Sequence, residues 1–339
     1  MAIMRRPTST GAVWVGVDLG GTKLMCAVLD SKFRVLAEDR TSVPPAEGQQ
    51  KGLKRMAELI ENTLKQSGVR RGRLAAIGVG CPGPLDLQKG LIVHAPNLGW
   101  RKVPLKKFLE GVFGRPVVVS NDVDAGTFGE YVAGAAQGAR TVLGIFPGTG
   151  IGGACIYEGR LIRGARQSCM EIGHVKVWPG GPLCGCGRRG CLEAVAGRLA
   201  IAAQAAAAAY RGDAPALLER AGTDISKIRS KALADAIRDG DCAVERIVRR
   251  AARHIGLAAA NAINLLAPDV VVLGGGLVEA MPKLFLEEVE EEARDKVMPS
   301  FRDTFKVVAA KLGDRATIIG AAALAARAVQ SGEVGHEAG

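Results

Sequence analysis

The residues best suited to chemistry lie between positions 171 and 193. Glu171-Ile172-Gly173-His174 leads into Cys184-Gly185-Cys186-Gly187-Arg188-Arg189-Gly190-Cys191-Leu192-Glu193. His174, Cys184, Cys186 and Cys191 make a tetrahedral Cys₃His ligand set for Zn²⁺, among glycines that let the backbone turn tightly around an ion. All four ligand positions are filled, so this metal is structural and activates no water. In isolated finger peptides such binding contributes on the order of 10–16 kcal/mol to folding. Two acids flank the set: Glu171 before the His and Glu193 after the last Cys. If one ring nitrogen of His174 takes the metal, the other is held in a fixed direction as a donor. Two carboxylate acceptors and an oriented imidazole suit a polyol such as a sugar.

The second chemical feature is glycine. Asp18-Leu19-Gly20-Gly21-Thr22-Lys23 and Gly148-Thr149-Gly150-Ile151-Gly152-Gly153 each lie between two apolar runs, which predicts hairpin turns. Successive backbone N–H groups in such turns can converge on a phosphate, and Thr22 or Thr149 can add a hydroxyl. Gly-x-Gly-x-x-Gly stands at 78–83 and at 148–153, but neither is a dinucleotide fingerprint. That motif must open a helix; the first copy contains Pro82 and enters a loop, and the second enters a strand. A Gly-x₄-Gly-Lys-Ser/Thr phosphate loop is absent from the sequence. Asn121-Asp122-Val123-Asp124 follows a strand and precedes a helix, the place where open α/β sheets gather functional residues.

The elements around these residues read as a duplicated α/β design. Strands are predicted at Val13–Asp18, Lys23–Leu29 and Phe33–Ala37, a helix at Gly52–Gln66, and strands at Leu74–Val79, Leu91–His94 and Pro116–Ser120. A helix follows at Ala125–Val132. The hairpin pattern then recurs at Thr141–Phe146 and Ala154–Tyr157, an internal pseudo-repeat with one copy per domain. Beyond the Cys-rich stretch the chain turns helical: Leu192–Tyr210 as one helix, Ser230–Arg238, Cys242–Leu266, and a charged helix running from the Gly274-Gly275-Gly276 turn to about Val297. Strands at Asp269–Leu273 and Phe305–Ala310 and a closing helix at Gly320–Val329 complete it, with a frayed tail at Gly335–Gly339. The domain boundary is placed at 120/121: a smaller α/β domain, 1–120, completed by the helix at 320–330, and a larger one, 121–319, with the zinc loop 174–191.

With 339 residues and 48% apolar content the chain can build two ordinary cores. It holds no run of about 20 apolar residues, so no membrane span is expected. The opening MAIMRRPTSTG lacks the apolar stretch of a secretion signal. Beyond the metal set, Cys26, Cys81, Cys155, Cys169 and Cys242 leave an odd number, which suits reduced thiols and a cytoplasmic protein. The net charge of +11 suits an anionic partner, but the Arg and Lys are spread along the chain as a solvated surface.

Together, the hairpin at 18–23, the turn at 148–153, Glu171–His174 and Cys184-x-Cys186-x₄-Cys191-x-Glu193 resemble the ROK family of sugar kinases and sugar-responsive repressors, its bacterial glucokinases above all. The resemblance covers nearly the whole chain. It implies the fold of actin, hexokinase and the heat-shock-chaperone ATPases: two ribonuclease-H-like domains flanking a cleft. It implies ATP with Mg²⁺, a hexose substrate, a structural Zn²⁺ and a homodimer or homotetramer. By this resemblance Asp122 is the catalytic base, and Gly83, Asn97, Asn121, Glu171, His174 and Glu193 are further sugar contacts. Asp18 positions Mg²⁺ through water; Gly20, Gly21, Thr22, Lys23, Gly148, Thr149 and Gly150, with Gly274, Gly275 and Gly276, hold the nucleotide and its phosphates. Two positions depart from the family's habit. Asp124 stands where Asn is frequent, and Met170 where a small residue, often Gly, precedes the Glu; both adjoin sugar contacts and bear on which sugar is taken.

The resemblance implies an ATP-dependent hexose kinase, with glucose ahead of fructose, mannose, N-acetylmannosamine, N-acetylglucosamine and allose; the sequence leaves polyphosphate open as the donor in place of ATP. A sugar-sensing regulator is the rival class. Only about a dozen residues precede Val13, too few for a helix-turn-helix, so no DNA-binding domain is expected. A non-sugar ATPase of the same superfamily has no use for the metal-anchored acids.

Overall fold

The computed structural model describes residues 11–164 and 169–332, which fall into two compact units. The tail expected at Gly335–Gly339 lies outside the described residues.

Of the described residues, the first unit comprises 11–137, 163–164 and 314–332. Its strands are β1 (Val13–Leu19), β2 (Lys23–Leu29), β3 (Val35–Ser42), β4 (Leu74–Cys81), β5 (Leu85–Asp86), β6 (Leu91–Ala95), β7 (Trp100–Val103) and β8 (Val117–Asn121). Its helices are α1 (Gly48–Gln66), α2 (Leu105–Phe113), α3 (Asp122–Ala133) and the closing helix Arg315–Ser331. The main sheet runs β3-β2-β1-β4-β8, with β1, β2 and β3 antiparallel and β4 and β8 parallel to β1, which is the ribonuclease-H-like order. β4 is buried along its whole length, as a central parallel strand covered on both faces must be. It continues through Gly80 and Cys81, so the first Gly-x-Gly-x-x-Gly opens no helix.

The third strand starts and ends later than expected. Asp30 Oδ1 accepts from Lys32 N and Arg34 N, an Asx turn that holds Phe33 at φ 57 and delays the strand to Val35. Its far half is Glu38-Asp39-Arg40, hidden from a hydrophobic count because an edge strand keeps one face polar.

The closing helix is Ala-rich because it packs backbone to backbone. A Cβ on Gly16 or Gly78 would overlap the carbonyls of Ile318 and Ala321, and a Cβ on Gly129 or Gly320 those of Ala316 and Ala125. Those glycines let the helix lie directly on β1, β4 and α3. The boundary therefore differs from 120/121: α3 packs within the first unit, against the closing helix.

The second unit comprises residues 138–162 and 169–313. Its sheet uses β9 (Thr141–Pro147), β10 (Ile151–Tyr157), β11 (Arg160–Leu161), β12 (Val270–Leu273) and β13 (Lys306–Ala309) in the order β11-β10-β9-β12-β13. Hairpin strands are antiparallel and β12 and β13 parallel to β9, which reproduces the first sheet's topology. Its helices are α4 (Leu192–Ala196), α5 (Arg198–Tyr210), α6 (Pro215–Ala221), α7 (Ser230–Arg238), α8 (Cys242–Leu266), α9 (Gly276–Ala280) and α10 (Pro282–Lys296).

Two helices expected to be continuous are broken. The first stops at Gly197, whose extended ψ of 154° turns the chain between α4 and α5. The second breaks at Met281, just before Pro282, the residue type that can start a helix but not continue one. The stretch 192–210 has a mean hydropathy of 1.2, but over half of it is buried and the break divides it, so it is a core element of this unit. The long α8 buries Val244, Val248, Ala251, Ala252, Ile255, Ala259 and Ile263, one face at helical spacing. Against it lies α10, whose buried Glu288 accepts from both Arg249 (2.6 Å) and Arg253 (2.6 Å).

Candidate active site

Each unit carries its own group of the candidate residues. In the first, Asp18 lies near the end of β1, just before the β1–β2 turn. Gly20 N donates to Lys23 O at 2.9 Å, closing that turn, and Val43 N donates to Thr22 O at 2.9 Å, tying it to the end of β3. Gly20 therefore spends its N–H on the turn itself. Among the described residues no acceptor takes the N–H of Gly21 or Thr22. Asn97, in a short 3₁₀ turn, faces the hairpin: a Cβ on Gly21 would meet its side chain at 3.4 Å.

Asn121 ends β8 and caps α3, its Oδ1 accepting from Val123 N (2.8 Å) and Asp124 N (3.3 Å). Asp122 is thus the first helical residue, with Oδ1 2.9 Å from Val123 N. Burial raises its pKa above the usual carboxylate range even though that N–H and Asn121 pull it down. Asp18 is pushed up to about 7, by burial first and then by the charges of Asp122 and Asp314. The buried Cys81 thiol is raised by burial first and then by Asp122 and Asp18, so it stays neutral. Gly83 lies near the Asn121 amide, which a Cβ there would approach to 3.9 Å.

The second unit assembles the Cys-rich stretch. The ligand atoms of His174, Cys184, Cys186 and Cys191 all lie within 4.8 Å of one another. Cys186 Sγ is 3.7 Å from Cys191 Sγ, and Cys184 Sγ is 3.7 Å from His174 Nδ1. A tetrahedron with a Zn–S bond of about 2.3 Å has edges of about 3.8 Å, so the donor set fits zinc in chemistry and spacing. Local geometry builds it: Cys184 N bonds Arg188 O at 2.7 Å, Gly187 N bonds Cys184 O at 2.9 Å, and Gly187 takes the left-handed φ of 80° that this tight turn needs. Gly190, at φ 75°, lies where any Cβ would overlap Trp178 O. Lys176 Nζ lies 2.9 Å from Cys191 Sγ, a partner that sequence reading missed. Were a divalent cation bound by three thiolates, the set would carry one excess negative charge, and Lys176 is placed to offset it.

Glu193 links this set to the second glycine turn. Its Oε2 accepts from Ile151 N at 3.0 Å, and its Oε1 is 3.9 Å from Cys184 Sγ. A Cβ on Gly150 would overlap that carboxylate, so a larger residue here would displace Glu193 from Ile151 N. Glu171 is exposed, just before the 3₁₀ turn that carries His174. The residue before it, Met170, sits at φ 58°, a conformation glycine adopts without strain, so the departure noted in the sequence falls where backbone geometry would favour the smaller residue.

Gly148 N closes its own turn on Gly150 O at 2.8 Å. As in the first hairpin, among the described residues no acceptor takes the N–H of Thr149 or Gly150. Gly275, at φ 81°, approaches Pro147 closely, which sets the Gly274–Gly276 turn beside the hairpin. Arg198 opens α5 with its backbone N on Gly148 O (2.9 Å) and its Nη2 on Thr149 Oγ1 (2.9 Å). Sequence reading missed this arginine as well, since nothing local marks it among the neighbouring residues of an Ala-rich run.

The ROK family profile matches residues 14–328. The chain belongs to the ROK family. A glucokinase of Thermotoga maritima is 35% identical over 312 residues, covering 91% of this chain and 96% of that protein. The ROK hexokinase of Thermus thermophilus superposes with a TM-score of 0.81 at 36% identity, over 94% of this chain and 99% of that one. A ROK glucokinase of Streptomyces griseus, solved with glucose and AMPPNP, gives 0.79 at 33% identity, over 93% and 100%. The fold of this ROK protein is accordingly that of the actin and hexokinase ATPases.

Proposed function

We propose that this ROK protein is a glucokinase, transferring the γ-phosphoryl group of ATP to glucose. The observation that carries the reading is Asp122: a carboxylate raised toward neutrality by burial, fixed on the first turn of α3 behind its Asn121 cap, and so suited to accept a hydroxyl proton. A regulator that only senses a sugar has no use for it. The similarity to glucokinases of other organisms, over nine-tenths of the chain, supports the same reading.

Phosphoryl transfer asks little covalent help of a protein; it needs an aligned hydroxyl and neutralised charge. Asp122 takes the proton of the sugar hydroxyl as the new O–P bond forms and the bond from the γ-phosphorus to the β,γ-bridging oxygen breaks, with ADP leaving; Asn121 holds the turn in which Asp122 sits. Gly83, Asn97, Glu171, His174 and Glu193 supply the remaining sugar contacts. His174 turns Nδ1 toward the Cys-rich set, so with a metal bound there Nε2 would be the nitrogen left to donate outward. The free N–H groups of Gly21, Thr22, Thr149 and Gly150 and the hydroxyls of the two threonines receive phosphate oxygens, with Lys23 nearby and the Gly274–Gly276 turn at the nucleotide. Asp18 is the residue that would hold Mg²⁺ through water, and Mg²⁺ bound with ATP would supply positive charge at the transferring phosphoryl group. His174, Cys184, Cys186 and Cys191 would hold a structural Zn²⁺.

An ADP-release assay with ATP over a panel of hexoses tests the reading. Turnover is expected with glucose ahead of fructose, mannose and the N-acetylhexosamines. A folded, zinc-loaded protein that turned over none of them would refute it.

A further inference from the structure

We infer that Arg198 and Arg229 form a two-arginine clamp on the phosphate tail of the phosphoryl donor, beside the Gly148–Gly150 turn. The inference rests on the kinase reading above and adds two residues to it.

Arg198 is held at the turn by two hydrogen bonds, one from its backbone to Gly148 O and one from Nη2 to Thr149 Oγ1. Because the Thr149 oxygen accepts from the guanidinium, its own hydrogen is left to be donated elsewhere. One of the five N–H donors of Arg198 is thereby spent on the turn, and the fork remains available to a planar or tetrahedral oxyanion. Arg229 arrives from a different part of the chain. It precedes Ser230, the first residue of α7, and Ser230 Oγ would be 3.6 Å from a Cβ on Gly276 in the neighbouring glycine turn. The two glycine turns and the two arginines are thus gathered from four separate segments of the second unit.

Neither arginine forms an ion pair with a carboxylate among the described residues. Arg198 is half-buried, and burial first and Arg229 second hold its pKa below the ordinary guanidinium value. Arg229 is exposed and near enough for its charge to bear on Arg198, and two cations without a counter-charge favour the approach of a multivalent anion. Arginine forks match phosphate oxygens bidentately, and the free N–H groups of Thr149 and Gly150 point to the same ligand class. The ligand chemistry is a chain of phosphoanhydrides, whether the tail of a nucleoside triphosphate or inorganic polyphosphate. The competing account is a staple, in which Arg198 only braces Thr149 and Arg229 is a surface residue.

The test compares full-length, zinc-loaded wild type with Arg198→Gln, Arg198→Lys and Arg229→Gln, each checked for an unchanged thermal melt. For both glutamine variants the KM for ATP is expected to rise about 10- to 100-fold, as losing a charge-assisted hydrogen bond does, with the KM for glucose nearly unchanged. Arg198→Lys keeps the charge without the fork and should fall between. Calorimetric binding of inorganic tripolyphosphate should weaken in parallel. Running turnover with ATP and with polyphosphate identifies the tail served, since the loss appears on the donor that the wild type uses. If Arg229→Gln leaves both the donor KM and tripolyphosphate binding unchanged, the clamp is overturned and the staple account stands, whatever Arg198→Gln does. Should the wild type phosphorylate no hexose, the kinase reading fails separately. Tripolyphosphate binding then still decides the clamp: weaker in Arg229→Gln than in wild type supports it, equal overturns it.

Discussion

Asp18 should make the ligand-free protein less stable as the pH rises, and Asp18→Asn should remove that dependence. The carboxyl is pushed from its ordinary 3.8 up to about 7 by burial and by Asp122 and Asp314. The folded chain therefore binds this proton more tightly than the unfolded chain. Its contribution to stability is full below pH 3.8 and is lost progressively as the pH rises through about 7. At about 1.4 kcal/mol per pH unit the whole interval is worth up to about 4 kcal/mol, of which about 3 kcal/mol falls between pH 5 and pH 8. Asn keeps the shape without the charge, so at pH 8 the variant should be the more stable protein while losing activity, the trade expected where a site stores charge repulsion. Urea unfolding followed by tryptophan fluorescence reads the right unit. Trp14 and Trp100 are both buried there, at 6% and 1% exposure, whereas Trp178 is 53% exposed and changes little on unfolding. The comparison is made at pH 5 and pH 8 without nucleotide or Mg²⁺. Parallel loss of stability in wild type and variant across that interval would refute the electrostatic account of Asp18.

Asp122→Asn should lower kcat by about 10²-fold or more, as general-base losses do, with equilibrium glucose binding changed far less; near-normal kcat would remove Asp122 from the base role. Gly150→Ala forces a Cβ into Glu193 Oε2 and should raise the KM for glucose and for ATP together, while Gly21→Ala meets Asn97 only at ordinary contact distance and should keep both within about threefold of wild type. Steady-state kinetics of the pair check this contrast. In Cys186→Ser, bound zinc and glucose affinity should fall together, because Glu193 and His174 are positioned by the metal set, and a shift of about 1 Å can cost on the order of 10²-fold in rate. Metal analysis with glucose titration decides it: zinc lost with unchanged glucose affinity would make the ion a remote staple.

What the sequence by itself determined was whatever is local. The metal set is legible because Cys184, Cys186 and Cys191 are close neighbours in the chain and His174 is only ten positions before the first of them. The two hairpins are legible because glycine between apolar runs specifies a turn whatever surrounds it, and their recurrence announces the repeated sheet that the strand orders display. Tertiary structure decided what depends on backbones that meet from far apart. That α3 belongs with the first unit follows from Gly129 and Gly320 meeting across 191 positions of sequence, and no periodicity records such a meeting. The break at Gly197 was invisible in an Ala-rich run, since a lone glycine is tolerated in a helix; the turn there is what brings Arg198 onto Gly148 and Thr149. The raised carboxyl of Asp18 is likewise tertiary. A side chain's type sets its ordinary pKa, but burial and the approach of Asp122 and Asp314 exist only once strands and helices that are distant in the chain have been packed together.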